Sequence, residues 1–384
     1  MRIAIVYDCL FPWTVGGAER WERNVAEALV ADGHEVTYLT RLQWDPGEPP
    51  QIPGVEVVAV SRAEPLYGPD GNRTIGEPLR FGWGVLNHLA RHGGRYDVVH
   101  TASFPYFSLL AAGALRRIRR YRLITDWFEV WSDSYWREYL GPVQGFVARQ
   151  IQGACARLRQ EAFCTSRLHA RRLREAGLRE EPTVLRGAWT GSTARPTPLA
   201  AEPHVVFAGR HIPEKHAPDV VPAVVAARKQ IPDLRATIFG DGPQLGLVRD
   251  AITRHGAGAY ISAPGFVEGD AVDRALERAT CLLLPSTREG YGLVVVEAAS
   301  MGVPSIVVAA PDNAATELVE EGVNGFVCAD GAPATLAAAV VAAHEGGAAL
   351  RESTADWFGA HAPELALDVS MRVIVARYRA AARA

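Results

Sequence analysis

The chain has 384 residues, 48% hydrophobic and 22% charged, which is long enough for two ordinary cores and too apolar for a disordered segment. Lys and Arg total 40 against 43 Asp and Glu, and a formal charge of -3 speaks against a protein that works by neutralising nucleic-acid phosphates. Five cysteines (Cys9, Cys155, Cys164, Cys281, Cys328) are odd in number and form no C-x-x-C pair, so they read as reduced core thiols rather than a disulfide framework or a zinc knuckle. The N-terminus, Met1-Arg-Ile-Ala-Ile-Val-Tyr-Asp8, is charged too early for a signal peptide, and the longest uncharged stretch, 98–115, holds His100 and Pro105 and is a poor membrane span. A cytoplasmic protein is expected.

In chain order, residues 2–7 read as a buried strand, a Gly-containing loop follows, and 18–32 has helical spacing with Ala26, Leu29 and Val30 on one face. Strand-like runs recur at 34–39, 55–60, 98–100, 122–125 and 162–165. At 190–203 the composition turns to small, polar and Pro residues without periodicity, the chemistry of a linker. The alternation then restarts, with strands at 204–208, 235–239, 260–262, 281–284, 305–308 and 326–328. This pattern predicts an α/β fold of two doubly wound halves, 1–190 and 203–365, joined by a linker at 191–202. Open parallel sheets bind ligands at the loops leaving the carboxyl ends of their strands, so chemistry is sought there.

The most informative loop begins at Ser286-Thr-Arg-Glu-Gly-Tyr-Gly-Leu-Val-Val-Val-Glu297. A strand ends at Leu284, Gly290 and Gly292 permit close backbone approach to a ligand, and a helix starting near Leu293 presents unpaired N–H groups to an anion. Seven residues separate Glu289 from Glu297. Each carboxylate can accept two hydrogen bonds from a diol, which suits a ligand with two sugars across a phosphate bridge. A surface Glu plus a Glu favoured by the helix dipole is the plainer alternative. In Phe207-Ala-Gly-Arg-His-Ile-Pro-Glu-Lys215, Arg210 and Lys215 follow a strand and could stabilise charge on a departing diphosphate, or be ordinary solvated cations. Gly16-Gly17-Ala-Glu19 opens the first helix as a further N–H cradle, without the full G-x-G-x-x-G fingerprint. No D-x-D occurs, which disfavours a divalent ion holding the diphosphate.

Four features together resemble the family-four retaining glycosyltransferases of the GT-B type, over nearly the whole chain: Gly16-Gly17-Ala-Glu19, Gly209-Arg210 with Glu214-Lys215, the turn Gly240-Asp-Gly-Pro243, and the E-x7-E element from Glu289 to Glu297. The resemblance implies two Rossmann-like domains facing across a cleft. The first would shape the acceptor site and the second would hold a nucleoside diphosphate sugar. Residues 366–384, with Val369, Val373, Val375 and Tyr378, would form a helix crossing back to the first. Glu289, with Gly290 and Tyr291, would meet the donor sugar, the amides at Gly292 and Leu293 the sugar and phosphate, and Glu297 the ribose. Arg210 and Lys215 would meet the diphosphate beside Gly209, Phe266 and Val267 would lie near the base, and Gly16 and Gly17 would also line the donor.

Two departures from the family pattern stand out. No His occurs in Leu123-Ile-Thr-Asp-Trp-Phe-Glu-Val-Trp131, where the family carries a catalytic one; it would fall at Phe128 or Asp126 by different alignments. Asp126 and Glu129 are therefore the candidates beside the anomeric carbon, a turn-capping Asp and an Arg-paired Glu being the alternatives. Pro311-Asp-Asn-Ala-Ala-Thr-Glu317 replaces the family's Gly-Gly loop, with Asn313 as the residue that would reach the donor. His100 and Trp127 are acceptor-side candidates, although a lone His is more often structural and a cluster such as Trp127, Phe128, Trp131, Tyr135 and Trp136 is more often core than site. Acceptor loops are expected at 66–78 and 132–145.

The resulting expectation is transfer of a sugar, with retention, from a nucleoside diphosphate donor (UDP before GDP) to a glycan, lipid or small-molecule acceptor, with no metal, no other cofactor and no nucleic-acid partner. A nucleotide-sugar epimerase and a sugar-nucleotide binder without turnover are the alternatives. The basic run Arg116-Arg-Ile-Arg-Arg-Tyr-Arg122, with Arg171, Arg172 and Arg174, reads as solvated helix ends or as a weak peripheral contact with an anionic membrane.

Overall fold

A computed structural model describes residues 1–14, 16–45, 47–66, 74 and 76–382. The chain divides into two compact units: Met1–Arg186 with Leu367–Ala384, and Gly187–Ala366.

Unit 1 runs β1 (Arg2–Val6), α1 (Gly17–Ala31), β2 (Glu35–Arg41), β3 (Val55–Ser61), α2 (Gly76–His92), β4 (Val98–Ala102), α3 (Tyr106–Arg119), β5 (Arg122–Trp127), α4 (Asp133–Ala156), β6 (Glu161–Cys164), α5 (Arg167–Glu175) and β7 (Thr183–Val184). Its seven strands are parallel in the order β3-β2-β1-β4-β5-β6-β7. Alternate residues of β1 enter different cores: Ile3 and Ile5 pack on one face, and Ala4 and Val6 on the other. That two-sided burial is why a central parallel strand reads as a continuous apolar run.

Unit 2 runs β8 (His204–Ala208), α6 (Val220–Ala227), β9 (Arg235–Phe239), α7 (Leu245–Arg254), β10 (Ile261–Gly265), α8 (Gly269–Leu276), β11 (Cys281–Leu284), β12 (Arg288–Glu289), α9 (Leu293–Ala299), β13 (Ser305–Val308), β14 (Asp312–Asn313), β15 (Gly325–Cys328) and α10 (Pro333–Leu365). Six strands form a parallel sheet in the order β10-β9-β8-β11-β13-β15, and β12 pairs with β14 alone. The last helix, α11 (Leu367–Ala382), returns to unit 1, where Met371, Ile374 and Tyr378 are buried in the core with Leu29 of α1.

The structure differs from the sequence expectation in three places. Residues 132–145 lie mostly within α4, because Ser132 caps it by accepting the Tyr135 N–H at 3.1 Å; Gly141 (φ +77°) and Pro142 mark a kink inside the helix rather than a loop. The segment 190–203 lacks regular structure but is fastened to unit 2. The N–H groups of Ala188 and Trp189 both reach the Leu365 carbonyl at 2.9 Å, the Trp189 ring meets Phe358 edge-on, and Arg195 bonds Asp356 and Glu352. The border between units consequently falls at Arg186. Strands β7, β12 and β14 have two residues each, too few for any periodicity to announce them. Most of the other expected acceptor loop, 66–78, lies outside the described residues. All five cysteines are buried thiols outside any disulfide, and among the described residues no helix is long and apolar enough to cross a membrane.

Candidate active site

Because every strand of the unit 2 sheet is parallel, all its carboxyl ends emerge at one end. The chain leaves β8 toward β9 and β10 on one side and reaches β11, β13 and β15 on the other. Neighbours β8 and β11 therefore flank the switch point where such sheets bind ligands. The segments after these strands hold most of the donor candidates.

After β8, the Gly209 N–H donates to the Phe239 carbonyl at 3.2 Å, the His211 N–H to Asp241 at 2.8 Å, and the Gln244 N–H to the His211 carbonyl at 2.9 Å. Gly240 (φ +122°) and Gly242 (φ +147°) make this clasp feasible: a Cβ on Gly240 would overlap the Gly209 carbonyl, and one on Gly242 would come within 2.6 Å of the His211 carbonyl. The turn thus grips the backbone of Gly209, Arg210 and His211, leaving the Arg210 side chain exposed and His211 fully buried. Burial holds the His211 imidazole below the ordinary histidine range.

The next turn of the chain is joined to the E-x7-E loop by two ion pairs. Lys215 Nζ lies 2.5 Å from Glu289 Oε1, and Arg288 Nη2 lies 2.7 Å from Glu214 Oε1. The Thr287 N–H also donates to the Glu214 carbonyl at 2.9 Å, and the His216 ring lies between Thr287 Oγ1 and Asp219. Parallel pairing of β12 with β14 sets Glu289 opposite Asn313. Asn313 is 2% exposed and spends its amide on the fold: Nδ2 donates to the Ser286 and Val308 carbonyls at 2.9 and 2.8 Å, and Oδ1 accepts from the Ala315 N–H at 3.0 Å. The structure thereby assigns Asn313 to holding the loop, not to the donor contact expected of it. Gly292 (φ +95°) precedes α9, and a Cβ there would come 2.6 Å from the Ala315 methyl. Glu289 is buried, Glu297 is half-buried on the second turn of α9, and Gly290, Tyr291 and Leu293 are half-buried between them. Phe266 is 73% exposed and Val267 half-buried after β10, whose final Gly265 carbonyl accepts from the Gly240 N–H at 3.0 Å.

Unit 1 places its candidates differently. Asp126 is 2% exposed; its carboxylate accepts from the Trp21 indole at 2.7 Å and lies 3.1 Å from His100 Nε2, while His100 Nδ1 bonds the Tyr378 hydroxyl at 2.8 Å. Trp127 is fully buried with its indole on Gln160 at 3.0 Å. His100, Asp126 and Trp127 are therefore interior residues, and the expectation that they face a ligand is corrected: side chains with no exposed surface have nothing to offer a substrate. Glu129 is half-buried and accepts from the Trp131 indole, and Phe128 is half-buried. At the start of α1 a Cβ on Gly16 would overlap the Glu19 carboxylate, so the protein's own acid folds back over the cradle of Gly16 and Gly17. Of the basic run, Arg116, Arg117 and Arg119 close the last turn of α3, and Arg122 pairs with Glu161 at 2.5 Å.

Sequence reasoning missed Glu214–Arg288 and the chain from Tyr378 through His100 to Trp21. Only the adjacent opposite charges at 214–215 and 288–289 hinted at the first, and no local signal marks the second.

Two Rossmann-like parallel-sheet units, with the segments after β8 and β11 carrying a cation and a glutamate in contact, define a GT-B-type protein. The family described as Glycosyltransferase Family 4 matches residues 15–186, and that described as Glycosyl transferases group 1 matches residues 202–345. The chain belongs to the family-four glycosyltransferases of the GT-B type. A glycogen synthase of Mycobacterium tuberculosis (strain H37Rv) is 28% identical over 363 residues, covering 88% of this chain and 85% of that one. In fold the chain is similar to sucrose-phosphate synthase from Thermosynechococcus elongatus (TM-score 0.75, 19% identity, 98% of each chain covered). It is also similar to Anabaena HepE solved with UDP and glucose (TM-score 0.71, 19% identity, 99% of each chain covered).

Proposed function

We propose that the protein is a retaining glycosyltransferase that takes its sugar from a uridine diphosphate donor held by unit 2. One observation carries this reading: Lys215 and Glu289, from the segments after the switch-point strands β8 and β11, lie in hydrogen-bond contact. A cation there suits the diphosphate and a carboxylate suits a sugar hydroxyl. Arg210 and Lys215 stabilise the leaving diphosphate, Glu289 orients the donor sugar, and Glu297 holds the ribose. The acceptor hydroxyl attacks from the face the diphosphate leaves, which preserves the anomeric configuration. Arg210 and Lys215 meet the diphosphate charge without a metal, and no other cofactor takes part.

UDP is favoured because the Anabaena relative in fold was solved with it, and a glycan end is the favoured acceptor because the glycogen synthase relative spans most of the chain. With Asp126 in the core, Glu129 is the acid of that segment with exposed surface.

Calorimetric titration of UDP and of GDP in EDTA, with the Glu297→Ala variant alongside, tests the donor site. UDP binding without metal, weakened at least tenfold by the substitution, is expected; no binding of either nucleotide sinks the reading. Turnover separates the alternatives: an epimerase yields a new nucleotide sugar without free UDP, and a binder yields neither.

A further inference from the structure

The outer edge of the unit 1 sheet carries a groove that donor chemistry does not use. β3 is the edge strand and among the described residues pairs with β2 alone, so its outer side faces no further described strand. Helix α2 lies so close that a Cβ on Gly84 would overlap the Val60 carbonyl, and a cavity of about 590 Å³ runs between strand and helix. Residues 58–61 of β3 and Arg62 just beyond it form one wall, and the helix supplies Leu79, Arg80, Trp83, Asn87 and Arg91. Trp83 is 65% and Leu79 47% exposed, unusual for side chains of this size. Trp83, Asn87 and Arg91 follow one another at four-residue spacing, a row about 12 Å long on one helix face.

The charges in this groove are one-sided. Arg62, Arg80 and Arg91 line it, and among the described residues no Asp or Glu does; Arg80 also reaches Glu64 outside the lining. We propose that the groove is a binding site for an acidic oligosaccharide, a glycan chain bearing carboxylates or phosphates. An exposed indole offers a flat apolar platform for the C–H face of a pyranose ring. Asn87 and the strand edge both donate to and accept from hydroxyls, and guanidinium forks pair with carboxylate or phosphate oxygens in two-point contacts. A neutral glucan leaves Arg62 and Arg91 without counter-charge, Arg80 already being paired with Glu64. An acyl chain leaves the polar strand edge unpaired. The inference rests on the reading that this glycosyltransferase handles glycans, but its residues are all in unit 1 and its binding needs no donor.

The test titrates a galacturonate tetramer and a phosphorylated maltotetraose into the full chain, read by calorimetry and tryptophan fluorescence. Neutral maltotetraose, phosphatidylglycerol vesicles and a single-stranded oligonucleotide are run in parallel, and UDP is titrated into every sample. At least one acidic oligosaccharide is expected to bind at least tenfold more tightly than maltotetraose. Trp83→Ala and Arg91→Ala should each weaken that binding at least tenfold while leaving the melting temperature and UDP affinity unchanged. The proposal is overturned if neither acidic chain binds, if maltotetraose binds equally well, or if both substitutions leave binding intact. Vesicle or oligonucleotide binding that Trp83→Ala abolishes, with no acidic glycan bound, assigns the groove to that other partner instead. Loss of UDP binding alone, with glycan titration intact, strikes the donor assignment and not the groove.

Discussion

Lys215 and Glu289 hold each other at 2.5 Å, although each is proposed to serve a different part of the donor. On the proposed assignment a diphosphate would share the Lys215 ammonium with Glu289, so the carboxylate would compete for it. Glu289→Gln is therefore expected to lower kcat at least a hundredfold while leaving UDP affinity unchanged or raised a few-fold. Lys215→Ala should weaken UDP by about ten- to a hundredfold, the range of a charged hydrogen bond. Calorimetry alongside initial rates checks both, and equal loss of UDP affinity in the two variants would contradict the competition. Glu22 poses a different problem. It is fully buried beside Asp126, neither carboxylate oxygen has a hydrogen-bond partner among the described residues, and burial pushes its pKa well above the usual carboxylate range, with the Asp126 charge adding to the effect. The folded state keeps this proton while the unfolded state loses it above about pH 4.3, so stability falls as pH rises through that value. Glu22→Gln removes the titration: it should raise the melting temperature at pH 8 and lose that advantage toward pH 4. A variant melting lower at pH 8 than the parent would refute the assignment.

Between residues and fold stands the junction of the β8 and β11 segments. Glu214 and Arg288 are largely buried, with side chains 11% and 13% exposed, and their pair keeps Lys215 beside Glu289. Removing one partner of such a pair strands the other charge, so Glu214→Ala should cost about 3 kcal/mol of stability and raise the donor KM. Glu214→Ala combined with Arg288→Ala should recover part of that loss; strictly additive losses would show that the pair does not couple. At the neighbouring clasp, Gly240→Ala forces a methyl into the Gly209 carbonyl and should raise donor KM more than it lowers kcat, as measured by steady-state rates. Legibility at this scale followed element length. The strands of four or more residues were marked by apolar runs, whereas two-residue β12 and β14 were silent, and the Gly-Pro pair in α4 resembled a loop because kinks and loops use the same residues.

In the whole molecule, α11 carries the chain end back to unit 1, with Tyr378 on His100 and Arg379 on Asp32. Tyr378→Phe keeps the ring and leaves His100 Nδ1 without its partner, which should cost about 1–3 kcal/mol. Thermal melting should register this loss. UDP affinity, proposed to be set by residues of unit 2, should not change; a parallel fall in UDP affinity would show that the two are coupled.

The sequence by itself determined the alternation of strands and helices, the presence of two sheets, and the spacing of Glu289 from Glu297 with the cations at 210 and 215. Each of these is written in the periodicity and chemistry of residues close along the chain. Only the tertiary structure decided which polar residues are interior and which meet. His100 and Tyr378 are 278 residues apart and Glu214 and Arg288 are 74 apart, and no local period records such a distance. Likewise Asp126 and His100 have the chemistry of site residues, and only the packing around them reveals that both lie in the core, Asp126 on the Trp21 indole, His100 on the Tyr378 hydroxyl, and the two 3.1 Å apart.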